Sequence, residues 1–225
     1  MSKMTDAIGW FKGEFSAPVR AGLQGTPFSL DMLAAIAMQE TYYIWGDLYQ
    51  RLSASEVLKL CVGDTLDAPK RSAFPKNKAE LLSAPRGDEM FAIAREALES
   101  IGQYFSRYHE IARFNPNKFC HGFGIFQYDI QFFRRKNPDY FLKKRWYDFD
   151  DCLTVCLQEL RTALKSTYGP HKRTLTDQEM VYVAIAYNHG SVRLDRGFKQ
   201  GYRDDSGKFY GEHVWEYLHL AKSVP

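Results

Sequence analysis

The sequence predicts an all-α protein, with at most a small β-turn or ribbon in one aromatic loop. Three observations carry this expectation. Apolar residues recur at three- and four-residue spacings, side-chain capping signals open those segments, and strand-like alternation is scarce. In chain order, Ser29 is placed to cap a first helix, with Asp31 in its first turn and Leu33, Ile36 and Ala37 on one face, ending near Glu40 to Tyr43. Ser53 and Glu56 form a capping box for a short helix through Leu60. The polar stretch containing Gly63, Pro69, Pro75 and Pro85 reads as loop, broken by a brief turn from Asn77 to Leu82. After Gly87-Asp88, the residues Met90, Ile93, Ala94, Ala97, Leu98, Ile101, Tyr104, Phe105 and Tyr108 repeat as one buried helical face requires, and Asn115-Pro116-Asn117 ends that unit. Residues 119–133 are glycine-punctuated and aromatic, without helical spacing. Pro138 starts a short helix, and Asp150 or Asp151 opens a longer one with Leu153, Cys156, Leu157, Leu160 and Leu164 facing inward. Thr176 and Glu179 form a second capping box for a helix through Tyr187 that Gly190 closes, and Glu212 to Leu220 forms the last helix.

The 225 residues are 45% apolar and 25% charged, which excludes a disordered or collagen-like chain. The net charge of +3 is too mild to identify an anionic partner. The aromatic share is unusual. Fourteen Tyr, sixteen Phe and four Trp point to aromatic-lined grooves as well as a core, because a Tyr hydroxyl wants a partner or water. Cys61, Cys120, Cys152 and Cys156 show no C-x-x-C spacing and read as reduced, partly buried thiols, which favours folding in a reducing compartment. A zinc site from Cys120, His121 and the Cys152/Cys156 pair lacks ligand spacing, so no metal and no cofactor is expected.

The N-terminal MSKMTDAIGWFKGEF lacks a continuous apolar segment and a small-residue cleavage site, and the runs LAAIAM and VYVAIAY are too short to span a bilayer. The expectation is a chain made in the cytoplasm, with no membrane span and no signal peptide. The basic clusters Arg134-Arg135-Lys136 and Lys143-Lys144-Arg145 interleave with aromatics but read as a solvated face over an aromatic core, with no nucleic-acid partner. Asp148, Asp150 and Asp151 read as helix-capping charges, with membership of the active site as the alternative.

Three constellations carry candidate chemistry. Glu40 follows the apolar run Ala34 to Met38 at a helix end, where burial and the negative end of the helix dipole favour a protonated carboxyl suited to general-acid work. In Gly122-Phe123-Gly124-Ile125-Phe126-Gln127-Tyr128-Asp129, two glycines permit close backbone approach to a ligand, Gln127 offers an amide for an acetamido group, and Asp129 is a second carboxylate. Ala186-Tyr187-Asn188-His189-Gly190 ends a helix with groups able to hydrogen-bond a sugar or steady a carboxylate, His189 reading as a capping or surface residue.

In this order, a helix ending in Gln39-Glu40, then Gly124-Ile125-Phe126-Gln127, then Ala186 to Gly190 resembles the lysozyme-like lytic transglycosylases and goose-type lysozymes. The resemblance covers residues 29–43 and roughly 119–220. It implies Glu40 as catalytic acid/base, Gln127 as a substrate contact, Tyr187 and Asn188 as lining near the Glu, and Asp129 as the residue that positions attacking water. Thr41 stands where the family has Ser, and His189 where it has a small residue. Gly124 follows Glu40 by 84 positions, longer than in the family, so a single lysozyme-like domain over 1–225 with an inserted helical lobe at about 46–116 is expected.

The implied function is that of a glycosidase cleaving β-1,4 linkages in an amino-sugar polymer, peptidoglycan first, as a muramidase or lytic transglycosylase. Its rings would stack on sugar faces: Tyr42 after Glu40, and Phe126 and Tyr128 about Gln127. Hydrolysis with inversion would need Asp129, whereas transglycosylation would need no second carboxylate. Two other readings stand beside it, a chitinase- or chitosanase-like hydrolase and a non-catalytic carbohydrate-binding module on the same fold. A wall-degrading enzyme without a signal would leave the cytoplasm by a non-Sec route or have had its signal removed. Oligomeric state is left open.

Overall fold

The computed structural model describes residues 2–65 and 71–225, with the side chains of Asp64 and Thr65 outside that description. The chain is predominantly helical, as the class predicted from sequence requires. It divides into two compact units, Met1–Gly46 with Leu153–Pro225, and Asp47–Cys152. The second unit starts where an insertion was expected but runs past Pro116 to Cys152, because the strand Val62–Thr65 pairs with the strand Cys120–Phe123 beyond Pro116. Pro69 lies outside the described residues.

The first unit opens with α1 (Lys3–Gly22), an element that no signal singled out in the sequence. Ser2 caps it through its hydroxyl, and Ala7, Ile8, Phe11, Phe15 and Val19 form a stripe at helical spacing that is buried throughout. Next comes α2 (Leu30–Leu48). The Ser29 hydroxyl accepts from the Met32 amide, as its capping role requires. The helix does not end at Glu40 to Tyr43. The buried residues Ile44, Trp45 and Leu48 continue its apolar face, and Trp45 packs on Trp10 and Phe11 of α1. Glu40 therefore sits in mid-helix, and the dipole argument for it falls, since dipole effects fade within the last turn.

α8 (Phe149–Tyr168), α9 (Asp177–His189) and α10 (Tyr210–Lys222) complete this unit, the boundaries between units falling within α2 and α8. The Asp148 carboxylate accepts the amides of Asp150 and Asp151 and caps α8. Thr176 and Glu179 form the expected capping box of α9, and Gly190, at φ +79°, ends it in the left-handed conformation that glycine favours.

Lys12 is the one strongly buried cation among the described residues of this unit. Its ammonium pairs with Asp31 at 2.7 Å, donates to the Ala221 carbonyl at 2.8 Å and also donates to the Val224 carbonyl. Lys12→Ala is expected to lower unfolding free energy by roughly 3 kcal/mol, because it strands Asp31 and two carbonyls in a partly buried place. Urea unfolding checks this as a fall in midpoint with the slope unchanged.

The second unit contains α3 (Ala54–Leu60), β1 (Val62–Thr65), α4 (Lys78–Leu82), α5 (Gly87–Gly102), α6 (Ser106–Phe114), β2 (Cys120–Phe123), β3 (Tyr128–Asp129) and α7 (Pro138–Leu142). The Ser53–Glu56 capping box opens α3, Asn77 caps α4, and Asn137 caps α7 with Pro138 in its first turn. The helix expected through Tyr108 breaks in two. α5 ends at Gly102, where a Cβ would come within 3.1 Å of the His109 backbone as α6 folds back. Tyr104 is consequently exposed, and Phe105 and Tyr108 are not on the α5 face. The strands form a three-stranded antiparallel sheet in the order β1-β2-β3, with Val62 opposite Phe123 and Gly122 opposite Asp129. Phe123, Phe141 and Trp146 meet edge to face beneath it.

Candidate functional site

The strongest candidate lies within the first unit. Ala34 to Met38 are all buried, so α2 delivers Glu40, itself half-buried, from an apolar helix. The Tyr210 hydroxyl at the start of α10 donates to Glu40 Oε1 at 2.8 Å. Tyr210 is 2% exposed, and its first turn is admitted by glycines. A Cβ on Gly211 would lie 2.5 Å from the Phe198 carbonyl, and one on Gly201, at φ +84°, would lie 2.7 Å from the Tyr210 Cβ. Burial, and then the Glu40 charge, push the Tyr210 phenol well above its ordinary range, so it stays a donor.

α9 brings Tyr187 to the same cluster. Burial, then the charges of Cys156 and Glu40, push its phenol up likewise, and its side chain hydrogen-bonds the Cys156 thiol on α8. Asn188 is exposed at the end of α9, its Oδ1 lying 3.4 Å from where a Gly201 Cβ would stand. His189 is exposed as well. Thr41, where the resembling family has Ser, is fully buried with its hydroxyl directed at the Ala37 carbonyl. Tyr42 is half-buried, edge-on to Trp45 with ring centroids 5.3 Å apart, and Tyr43 is 48% exposed.

The second constellation lies in the second unit. Gly124, at φ +83°, and Gln127, at φ +52°, shape the connection between β2 and β3, and the Gln127 amide closes it on the Gly124 carbonyl at 2.9 Å. The Gln127 side-chain nitrogen donates to the Gly124 carbonyl at 3.0 Å and to the Cys61 carbonyl at 3.4 Å. A Cβ on Gly122 would lie 2.1 Å from Gln127 Oε1. The amide expected to face an acetamido group thus braces its own hairpin. Phe126 and Tyr128, expected in a saccharide groove, are 2% and 4% exposed. Phe126 packs on Phe149, and Tyr128 stacks between Phe132 and Phe141, which leaves little of either ring for a ligand.

Asp129 is engaged on both oxygens. Oδ1 accepts from Arg71 at 2.6 Å and from the Gln131 amide at 2.7 Å, and Oδ2 lies 3.0 Å from His121 Nδ1. Burial raises this carboxyl. The His121 hydrogen bond, the His121 and Arg71 charges and the Gln131 amide together outweigh that and hold it below the ordinary aspartate range. A depressed carboxyl contributes stability above its unfolded value, near 3.8, that is lost as pH falls through the folded one. Asp129→Asn is therefore expected to cost roughly 2 kcal/mol at neutral pH, with the deficit against wild type shrinking below about pH 4. Denaturant melts across pH read this directly.

Sequence reasoning missed Tyr210 and Cys156 as partners of Glu40 and Tyr187, and Arg71 and His121 as partners of Asp129. Glu40 and Tyr210 are 170 residues apart, and no local pattern links them. Of the basic runs, Lys143, Lys144 and Arg145 pair with Asp139, Glu96 and Asp151, whereas Arg134 and Lys136 lie over the Phe74 and Phe132 rings. All four cysteines are buried and outside any disulfide, and burial pushes the Cys152 thiol up to about 12. Among the described residues no three His, Cys, Asp or Glu side chains gather as a metal would need, and no helix is long and apolar enough to cross a membrane. Compared with protein-family models, curated proteins and solved structures, the chain matches none of them.

Proposed function

We propose that this chain is a glycosidase cleaving β-1,4 linkages in an amino-sugar polymer, peptidoglycan first, with Glu40 as general acid and a lytic transglycosylase's product. The observation that carries the reading is Glu40 itself. It is a half-buried carboxyl on an apolar helix, oriented by the Tyr210 phenol, with Tyr187 of the third sequence constellation in the same cluster. Such a group is poised to transfer one proton at a fixed place.

In this mechanism Glu40 donates its proton to the glycosidic oxygen. The C–O bond breaks with the electron pair leaving on that oxygen, and positive charge develops at the anomeric carbon. A hydroxyl of the same sugar then attacks that carbon and returns its proton to the Glu40 carboxylate, giving an anhydro end and consuming no water. Tyr210 and Tyr187 act on Glu40 and its surroundings as positioning residues. This one-carboxylate route is favoured over inverting hydrolysis because Asp129 is held by Arg71, His121 and the Gln131 amide, a poor arrangement for activating water. On the same proposal the protein, with four cysteines outside any disulfide, folds in the cytoplasm and reaches the wall by a non-Sec route.

The test is a substrate panel of purified peptidoglycan sacculi beside chitin and chitosan oligosaccharides, products read by mass spectrometry. Soluble disaccharide-peptides from sacculi alone are expected. Cleavage only of chitin or chitosan would reassign the substrate, and binding without cleavage of any polymer would leave a carbohydrate-binding module.

A further inference from the structure

A second place in the first unit has the chemistry of a ligand site and does not depend on the role of Glu40. The end of α8, the turn after it and the loop between α1 and α2 line an open cavity of ≈ 250 Å³. Arg161, Lys165, Lys172 and Arg173 line it, and no Asp or Glu does. The whole chain carries a net charge of only +3, so these cations, gathered in one cavity without an acid in its lining, outnumber the entire positive excess of the sequence.

Ordinary surface chemistry accounts for part of this. Lys165 lies in the last turn of α8, where a cation complements the helix dipole. Lys172 is paired with Glu179 and lies over the Tyr168 ring. Arg161, one turn before Lys165, and Arg173, beyond the helix, make no ion pair with any described residue, and neither does Lys165. All three are exposed, so water and salt screen their mutual repulsion while no ligand is bound. The rim backbone is bare, since Gly25, at φ +72°, and Gly169, at φ +83°, present no side chain and a Cβ at either would meet nothing within 4 Å.

We propose that this cavity binds a phosphate group. Two guanidinium forks, one from α8 and one from the turn beyond it, with the Lys165 ammonium beside the first, suit a tetrahedral oxyanion with several equivalent oxygens better than a planar carboxylate. The volume admits one such group and its immediate ester substituent, whether the phosphate is free or belongs to a phosphodiester chain.

The experiment is an amide NMR titration of the full chain with sodium phosphate and, separately, with soluble poly(glycerol phosphate), ionic strength held constant with chloride. Saturating shifts confined to the amides of Gly25, Thr26, Gly169 and His171 to Arg173 are expected. Arg161→Gln combined with Arg173→Gln should weaken binding about tenfold while leaving the rest of the spectrum in place. Equal affinity per phosphate for the two probes would identify an isolated phosphate as ligand. A polymer advantage of tenfold or more would identify a phosphodiester chain. Shifts that spread over the surface without saturating, or affinity unchanged in the double variant, would overturn the proposal. Both altered side chains are exposed, so the variants keep the fold on which the comparison depends.

Discussion

Glu40→Gln is expected to lower the rate of glycan cleavage by about a thousandfold, the range that loss of a positioned general acid produces. Stability should hardly change. The substituted amide keeps an oxygen where Glu40 Oε1 now accepts from Tyr210 at 2.8 Å, and it removes no apolar contact of α2. A variant that unfolds earlier than wild type and loses activity in proportion would instead make Glu40 a structural group of the first unit. Kinetics on sacculi and a thermal melt of the same preparation separate the two.

Tyr210→Phe is the second large effect. The ring stays packed, and one hydroxyl is lost from a side chain that is otherwise buried. With this donor gone the carboxyl is held less tightly, and a catalytic group misplaced by about an ångström costs roughly a hundredfold. The pH profile carries the sign. A hydrogen bond donated to a carboxylate favours its ionised form, so removing the donor favours the protonated one. A general acid works while protonated, and activity falls as pH rises past its titration. The alkaline limb in Tyr210→Phe is therefore expected at higher pH than in wild type. A lower rate with the limb unmoved would make the phenol a packing group that does not act through Glu40.

Local chemistry in this chain is written plainly in its residues. The capping boxes at Ser53–Glu56 and Thr176–Glu179, the Pro138 start and the glycine stop at Gly190 involve groups within a few positions of each other, and all appear at the expected places. What depends on distant partners does not show. The α2 helix runs on to Leu48 because Trp45 finds Trp10 and Phe11 on α1, which a helix-stop signal cannot anticipate. Tyr104 and Tyr108 continue the helical spacing of α5, yet Gly102 lets the chain turn back before them.

The candidate site divides in the same way. Glu40 and Tyr187 were legible from their motifs, but their partners Tyr210 and Cys156 come from other helices. Asp129 was legible as a carboxylate. Its engagement by Arg71, 58 positions earlier, was not. On the proposed function, that engagement favours the one-carboxylate route over the inverting one, which the sequence alone left equal. Phe126 and Tyr128 show the same limit in reverse, because an aromatic beside a candidate polar group reads alike whether it faces a sugar or, as here, a core.

The central claim is that one carboxyl, Glu40, suffices to cut the glycan without a water nucleophile. Digestion of sacculi in water labelled with heavy oxygen tests this most directly, with mass spectrometry of the released ends. The expected result is soluble fragments with anhydro ends and no label. Labelled reducing ends would contradict the one-carboxylate mechanism and return Asp129 to the chemistry, and no released fragments at all would contradict the glycosidase itself.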